Sequence, residues 1–276
     1  MSNTDFFNKA AGQLNVYKFE AKLLSNPDIK FTFMRMNVAQ LKSILIGLNT
    51  SEQHVDAELD NVLSSNVRIG DGPCDPLALY AEDRFWILYN MRLKSRGEEL
   101  ETTHKCSECS GAIIAKIDLT KLSASSGPKG GFENNIPFNE NVSIYMDHIT
   151  RKDFIEFTQW KVRKESERKE ISGSEDTKLE RELDYTLGLY ALMLKKITLT
   201  SSISPSSNIE PDAPETLEDM SIDDKLEFLS ALNEIDYEKI KQWYNTTYFG
   251  VSLIVKIKCP LCQVEKEETL QVGNFF

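Results

Sequence analysis

With 276 residues, 41% of them hydrophobic and 27% charged, the chain can bury one ample core or two small ones, which excludes collagen-like, mucin-like and wholly disordered classes. Its 43 acidic residues outnumber 32 Lys plus Arg, and the formal charge of −11 disfavours broad docking on a phosphate backbone or an anionic bilayer, leaving protein partners as the expectation. No export signal opens the sequence and no apolar run reaches the roughly 20 residues that span a bilayer, so a reducing cytoplasm is expected, where paired cysteines favour metal binding or catalysis over disulfides.

Residues 1–27 carry weak signals and read as an N-terminal arm, with Val16–Leu24 a candidate edge strand and Phe6-Phe7 a candidate docking anchor. Ile29, Phe31 and Phe33 then alternate with polar neighbours as a half-buried strand does. Asn37 offers an N-cap to a helix with Leu41, Ile44, Leu45 and Leu48 on one face. A second helix, Glu52 to Leu63, repeats Val55, Leu59 and Leu63, and the turn Gly70-Asp71-Gly72-Pro73 breaks it. An apolar helix is predicted from Pro76 to Arg96, closed by Gly97 as a left-handed C-cap. Its Asp83, Arg84 and Arg92 are expected to pair or snorkel at the rim of a core, not to catalyse.

A first half, 28–122, is thus followed by a flexible linker, 123–138, whose stretch Ser123–Gly131 is Ser/Gly/Pro-rich. The second half, 139–276, repeats the opening. With Ile29 set on Val142 and no gap, Phe31 falls on Ile144, Phe33 on Met146, Met36 on Ile149, Asn37 on Thr150, Leu41 on Phe154 and Ile44 on Phe157. Asp153, three residues after Thr150, makes a partial capping box. The charged stretch Lys161–Glu182 reads as a solvated helix broken at Ser172-Gly173-Ser174, or as a mobile excursion. Leu179, Leu183, Leu187, Tyr190 and Leu194 mark a long amphipathic helix. Past the loop Ser201–Pro214, a helical pair capped by Ser221 and Asp236 carries Leu226, Leu229, Leu232, Ile240 and Trp243.

Each half ends alike, with Gly97 nine positions before Cys106 and Gly250 nine before Cys259. Cys106-Ser-Glu-Cys109 and Cys259-Pro-Leu-Cys262 have the spacing of zinc knuckles, in which a tight turn aims two thiolates at one ion, and two pairs complete a tetrahedron. The flanks Ala112–Leu119 and Val251–Ile257 alternate as strands, so each knuckle caps a β-hairpin. A redox Cys-x-x-Cys instead sits at a helix start, which neither pair does, and an Fe–S cluster also accepts four cysteines, though nothing nearby suggests electron transfer. Structural Zn2+ is the favoured occupant, a closed site with no open position for catalysis. His104, which could replace a cysteine, reads as solvent-facing, and Cys74 as an ordinary thiol. Walker, nucleophile-elbow, HExxH and Rossmann signatures are missing. The expected fold is α+β, mainly helical, with two similar strand–helix halves joined by a split zinc ribbon of two CxxC hairpins.

The run Asp83-Arg84-Phe85-Trp86-Ile87-Leu88-Tyr89-Asn90-Met91-Arg92, then Ser95-Arg96-Gly97-Glu98, the first knuckle and Ile117-Asp118-Leu119, resembles the baseplate (hub) assembly proteins of T-even-type contractile-tailed bacteriophages. Gly250, Lys258-Cys259-Pro260-Leu261-Cys262 and the closing Asn274-Phe275-Phe276 are similar too, so the resemblance covers most of the chain from about Ile29. It implies a non-enzymatic assembly factor or minor hub component, with tail and hub proteins as partners, in the host cytoplasm during assembly or in the virion. Phe275-Phe276 either dock on such partners or fold back onto the core. The competing reading is a zinc-ribbon nucleic-acid-binding or transcription accessory protein; the nearly neutral first knuckle and Glu265, Glu267 and Glu268 after the second speak against a phosphate-binding surface.

Overall fold

The computed structural model describes residues 5, 19–171, 178–200, 214–270 and 275. In chain order the first elements are β1 (Phe19–Lys22), β2 (Lys30–Phe33), α1 (Val38–Leu48), α2 (Glu52–Asn66), β3 (Val67–Ile69), β4 (Gly72–Pro73), α3 (Ala81–Arg96), β5 (Glu99–Lys105), β6 (Ala112–Asp118) and β7 (Ala124–Ser125). They are followed by β8 (Asn135–Pro137), β9 (Val142–Met146), α4 (Arg151–Ile171), α5 (Lys178–Met193), β10 (Leu194–Leu199), β11 (Glu215–Leu217), α6 (Ile222–Ala231) and α7 (Glu234–Thr247). β12 (Gly250–Val251), β13 (Ile254–Lys258) and β14 (Glu265–Thr269) close the chain. The fold is α+β, and its pairings are antiparallel in small sheets. It forms two compact units, one of residues 1–130 with 249–276 and one of 131–248, so the expected second half, 139–276, contributes to both.

In the first unit the sheet order is β1-β2-β3-β4, with α1 and α2 inserted between its second and third strands. β1 is the edge strand expected within Val16–Leu24; residues 16–18 and Phe6-Phe7 lie outside the described residues. Alternation buries Phe31 and Phe33, and Phe33 lies opposite both Phe19 and Val67. Asn37 caps α1 in a complete capping box, its side chain accepting from Gln40 N–H at 2.9 Å while Gln40 Oε1 accepts from Asn37 N–H at 3.0 Å. Leu45 and Leu48 are exposed, contrary to the expected stripe. The reason is Gly47, where a Cβ would stand 3.1 Å from Val55: this close approach of α1 to α2 selects the face carrying Ile44 and Gly47. Gly70, at φ +55°, turns β3 into β4, so the expected helix breaker is a hairpin turn.

The helix expected from Pro76 is interrupted. Pro76–Ala78 make a short 3-10 turn, Leu79 and Tyr80 are extended, and α3 begins at Ala81. Gly97 follows it at φ +91°, a conformation that strains any other residue. Asp83 and Arg92 are not at a rim, being 1% and 4% exposed. Asp83 accepts hydrogen bonds from the N–H groups of Leu24 (2.7 Å) and Ser25 (3.1 Å) and from the Ser25 hydroxyl, tying the end of the expected arm to α3. Arg92 donates to the carbonyls of Phe275 (3.1 Å), Glu99 (2.9 Å) and Gly97. Arg84 pairs as expected, with Asp60 at 2.8 Å and Asp56 at 3.2 Å. Phe275 folds back: it is buried, its ring edge-on to Phe85 at 5.4 Å, whereas Phe276 lies outside the described residues.

Glu82, in the first turn of α3, has a buried Oε2 without a hydrogen-bond partner, and burial pushes its carboxyl up to about 7, with Asp83 adding to the effect. A raised acid binds its proton more tightly folded than unfolded, so its stabilisation is complete below about pH 4.5 and is lost as pH rises through about 7. Glu82→Gln is therefore expected to stabilise by about 3 kcal/mol near pH 8 and by nothing near pH 4.5, as read by urea unfolding. Equal effects at both pH values would contradict the assignment.

The second unit has the strand order β8-β9-β10-β11, with α4 and α5 between β9 and β10. Residues 123–138, expected as a flexible linker, hold β7 and β8, with Ile136 buried. Thr150 and Asp153 make the expected box, Asp153 Oδ2 accepting from Thr150 N–H at 2.8 Å and Thr150 Oγ1 from Asp153 N–H at 3.2 Å. Gly188 lets α5 approach α4, since a Cβ there would sit 2.6 Å from Phe157. The cap of α7 is Asn233, not Asp236; Asn233 Oδ1 accepts from Asp236 N–H at 3.0 Å. Ile144, Met146, Phe157, Leu229, Ile240 and Trp243 form the core. His148 is buried against Phe132 and Trp243, and this desolvation lowers its pKa from the ordinary histidine range. Ser172-Gly173-Ser174 and residues 201–213 lie outside the described residues. At the aligned positions Phe31/Ile144, Phe33/Met146, Met36/Ile149 and Ile44/Phe157 both members are buried, whereas Leu41 is half-buried and Phe154 exposed.

Candidate metal centre

All four paired cysteines belong to the first unit, at the tips of two hairpins. β5 and β6 pair up to Lys105 opposite Ala112, leaving Cys106 to Gly111 as the loop; β13 and β14 pair up to Lys258 opposite Glu265, leaving Cys259 to Val264. The loops share their hydrogen bonds. Cys106 N–H donates to the Gly111 carbonyl and Cys259 N–H to that of Val264, each at 2.9 Å. Ser110 N–H donates to the Cys106 carbonyl and Gln263 N–H to that of Cys259, each at 3.0 Å. Ser110 and Gln263 also share a left-handed backbone, at φ 57° and 61°, conformations that cost L-residues about 1 kcal/mol each.

The four Sγ atoms lie within 4.8 Å of one another, and the two 3.6 Å approaches, Cys106 to Cys262 and Cys109 to Cys259, each join one hairpin to the other. Four thiolates around an ion at about 2.3 Å define a tetrahedron with edges of about 3.8 Å, so the cluster is compatible with a metal site. No covalent S–S link is present, since all are free thiols. Cys106 and Cys259 are buried over Ile113 and Ile257, and Cys109 is exposed. Among the described residues this is the one group of three or more His, Cys, Asp or Glu so placed.

Backbone N–H groups aimed at the sulfurs organise the charge. Those of Cys109 and Glu108 hold Cys106 below the usual thiol range, and those of Cys262 and Leu261 bring Cys259 down to about 6. Gly111 and Val264 act likewise on the second cysteines, but the neighbouring sulfurs, Cys259 foremost, drive Cys109 up and Cys262 up to about 12. Four sulfurs this close cannot all ionise by themselves. A bound cation relieves that repulsion, which is the chemistry the donor set offers.

His104 is not solvent-facing: its Nε2 lies 2.8 Å from Thr102 Oγ1, and its Nδ1 lies 3.3 Å from Glu268, so it joins β5 to β14 outside the sulfur cluster. Cys74 stands apart, buried, its thiol pushed up to about 12 by burial and by Asp75 and Asp60, as an inert thiol should be. Sequence reasoning missed Gly111. A Cβ there would meet Leu261 Cδ1 at 2.5 Å and Cys109 Sγ at 3.3 Å, so its bareness lets the second loop close on the first. It also missed Ser110 and Gln263, whose one signal is their matched position after the second cysteine.

No helix among the described residues is long and apolar enough to cross a membrane. A family model described as T4 bacteriophage base plate protein matches residues 15–276. No curated protein and no solved structure matches the chain.

Proposed function

This chain belongs to the T4 bacteriophage base plate protein family, and from that premise we propose that it serves the hub of a contractile tail's base plate, as an assembly factor or minor structural component. Its partners are other base plate proteins, met in the host cytoplasm while tails are built or in the finished virion. The observation that carries this reading is the match itself, which runs from residue 15 to residue 276 and so includes both cysteine pairs. Cys106, Cys109, Cys259 and Cys262 hold one structural Zn2+, making a split zinc ribbon of the two hairpins. Four protein thiolates leave the ion no open position for water or substrate, so its work is to staple the chain, not to catalyse. The two sequence halves, 28–122 and 139–276, arise from one duplicated strand–helix–hairpin plan; the strand order shared by their sheets, their aligned buried positions and their matched cysteine loops support this. Against a nucleic-acid role stands β14, which places Glu265, Glu267 and Glu268 beside the second knuckle.

Affinity capture of the full chain from infected cells tests the assignment. Base plate proteins are expected in the eluate, and mass spectrometry of purified particles separates a retained component from a departing assembly factor. Recovery of polymerase subunits without tail proteins would refute the hub reading.

A further inference from the structure

The hairpins that carry the cysteines leave two strand edges open. β6 pairs with β5 and β13 with β14, each in a two-stranded sheet, so among the described residues the inner edges of β6 and β13 have no strand partner. Between them runs a groove of about 520 Å³. Its floor includes the buried Ile113, Ile117 and Ile257, and its walls carry Ile114 and Ile254, which are 66% and 57% exposed. Lys116, Lys121, Lys256 and Lys258 also line it, with Asp118 the one carboxylate among the lining residues. In a chain of net charge −11 the lining itself is basic, while the balancing Glu99, Glu101, Glu265 and Glu267 stand on the outer strands β5 and β14. Lysines on an edge strand commonly serve to repel other strands. Two exposed isoleucines on the same edges contradict a purely protective role, because they offer an added strand something to bury.

We propose that this groove binds an extended acidic segment of a partner protein. Its main chain pairs with the open edge of β6, its carboxylates meet the lysines, and its alternate apolar side chains cover Ile114 and Ile254. β6 has seven residues, so at a rise of about 3.3 Å per residue the segment it accommodates is about 20 Å long. The lysines are available. Lys116 with Glu99 (3.3 Å), Lys121 with Asp118 (3.3 Å) and Lys256 with Glu267 (3.9 Å) are exposed pairs of the kind that contribute little and exchange readily. Charge chooses the occupant: a second copy of this chain brings a second −11 and is repelled, and no aromatic side chain lines the groove on which nucleic-acid bases could stack.

The inference takes nothing from the hub assignment, and a peptide titration tests it without any tail protein. The probe is an end-blocked peptide of alternating Glu and Val, added to the isotope-labelled full chain. Amide shifts are expected along 112–118 and 254–258, together with affinity at least about tenfold weaker for Lys116→Glu combined with Lys256→Glu. The lysine side chains there are 64% and 77% exposed, so the double variant should keep its fold, checked by an unchanged melting curve. A Lys-Val peptide should not bind. Absence of shifts at millimolar peptide, shifts elsewhere, or binding indifferent to the charge reversal would each overturn the proposal. So would concentration-dependent self-association blocked by the peptide, or a single-stranded oligonucleotide displaced by the same double variant.

Discussion

Cys259→Ser is expected to take the metal content from about one ion per chain to none and to unfold the first unit under conditions where the native protein is stable. Cys259 is fully buried, carries the most stabilised thiolate of the four, and lies 3.6 Å from Cys109 on the other hairpin. Structural zinc contributes on the order of 10 kcal/mol in small domains, comparable with the whole stability of roughly 5–15 kcal/mol that such a domain has. Beneath the sulfurs only a small buried cluster, with Ile113 and Ile257 at its centre, backs the two tips, too little to replace the staple. Elemental mass spectrometry and thermal melts read both effects, with Cys74→Ser as a control that should change neither metal content nor cluster geometry. Freshly purified native protein without metal, or a Cys259→Ser variant that melts as the native chain does, would defeat the zinc assignment.

Arg92→Met is expected to destabilise by about 4 kcal/mol in urea unfolding. Methionine keeps most of the apolar stem but none of the donors, and three carbonyls, those of Phe275, Gly97 and Glu99, lose their partner together. Hydrogen bonds to a charged group are worth about 1.5–3 kcal/mol each, and acceptors stranded away from water carry the desolvation cost as well. Lysine places one point charge where arginine places a planar fork, so Arg92→Lys should recover only part of the loss. A measured loss under about 1 kcal/mol would mean that water or another donor serves these carbonyls instead.

These two sites differ in how far the sequence disclosed them. The cysteine pairs were legible because the Cys-x-x-Cys spacing marks a tight turn that turns both sulfurs to one side, whatever the surrounding fold. Local chemistry also disclosed the caps at Asn37, Thr150 and Ser221, each settled within three residues. Asp83 and Arg92 were misread as rim residues, since partners that bury them come from far away in the chain: Leu24 and Ser25 for one and, beyond nearby Gly97 and Glu99, Phe275 for the other. The exposed face of α1 was misjudged for a similar reason. Helical periodicity marks Leu41, Ile44, Leu45 and Leu48 alike, and only the close approach at Gly47 decides between them. His104 looked solvent-facing on its own strand, but its partner Glu268 comes from a hairpin made much later in the chain.

The first unit is interrupted in sequence, its chain leaving at Gly130 and resuming at Phe249. On the ribosome, Cys106 and Cys109 therefore emerge well before the sulfurs they will face. At about 5–20 residues per second, the intervening stretch imposes a delay on the order of 10 s. Throughout that interval the first hairpin is exposed with two of the four sulfurs, while residues 131–248, contiguous and without need of later sequence, are free to fold. Closure of the four-sulfur cluster thus reports that translation has passed Cys262, and a chain released before that point lacks the means to make it.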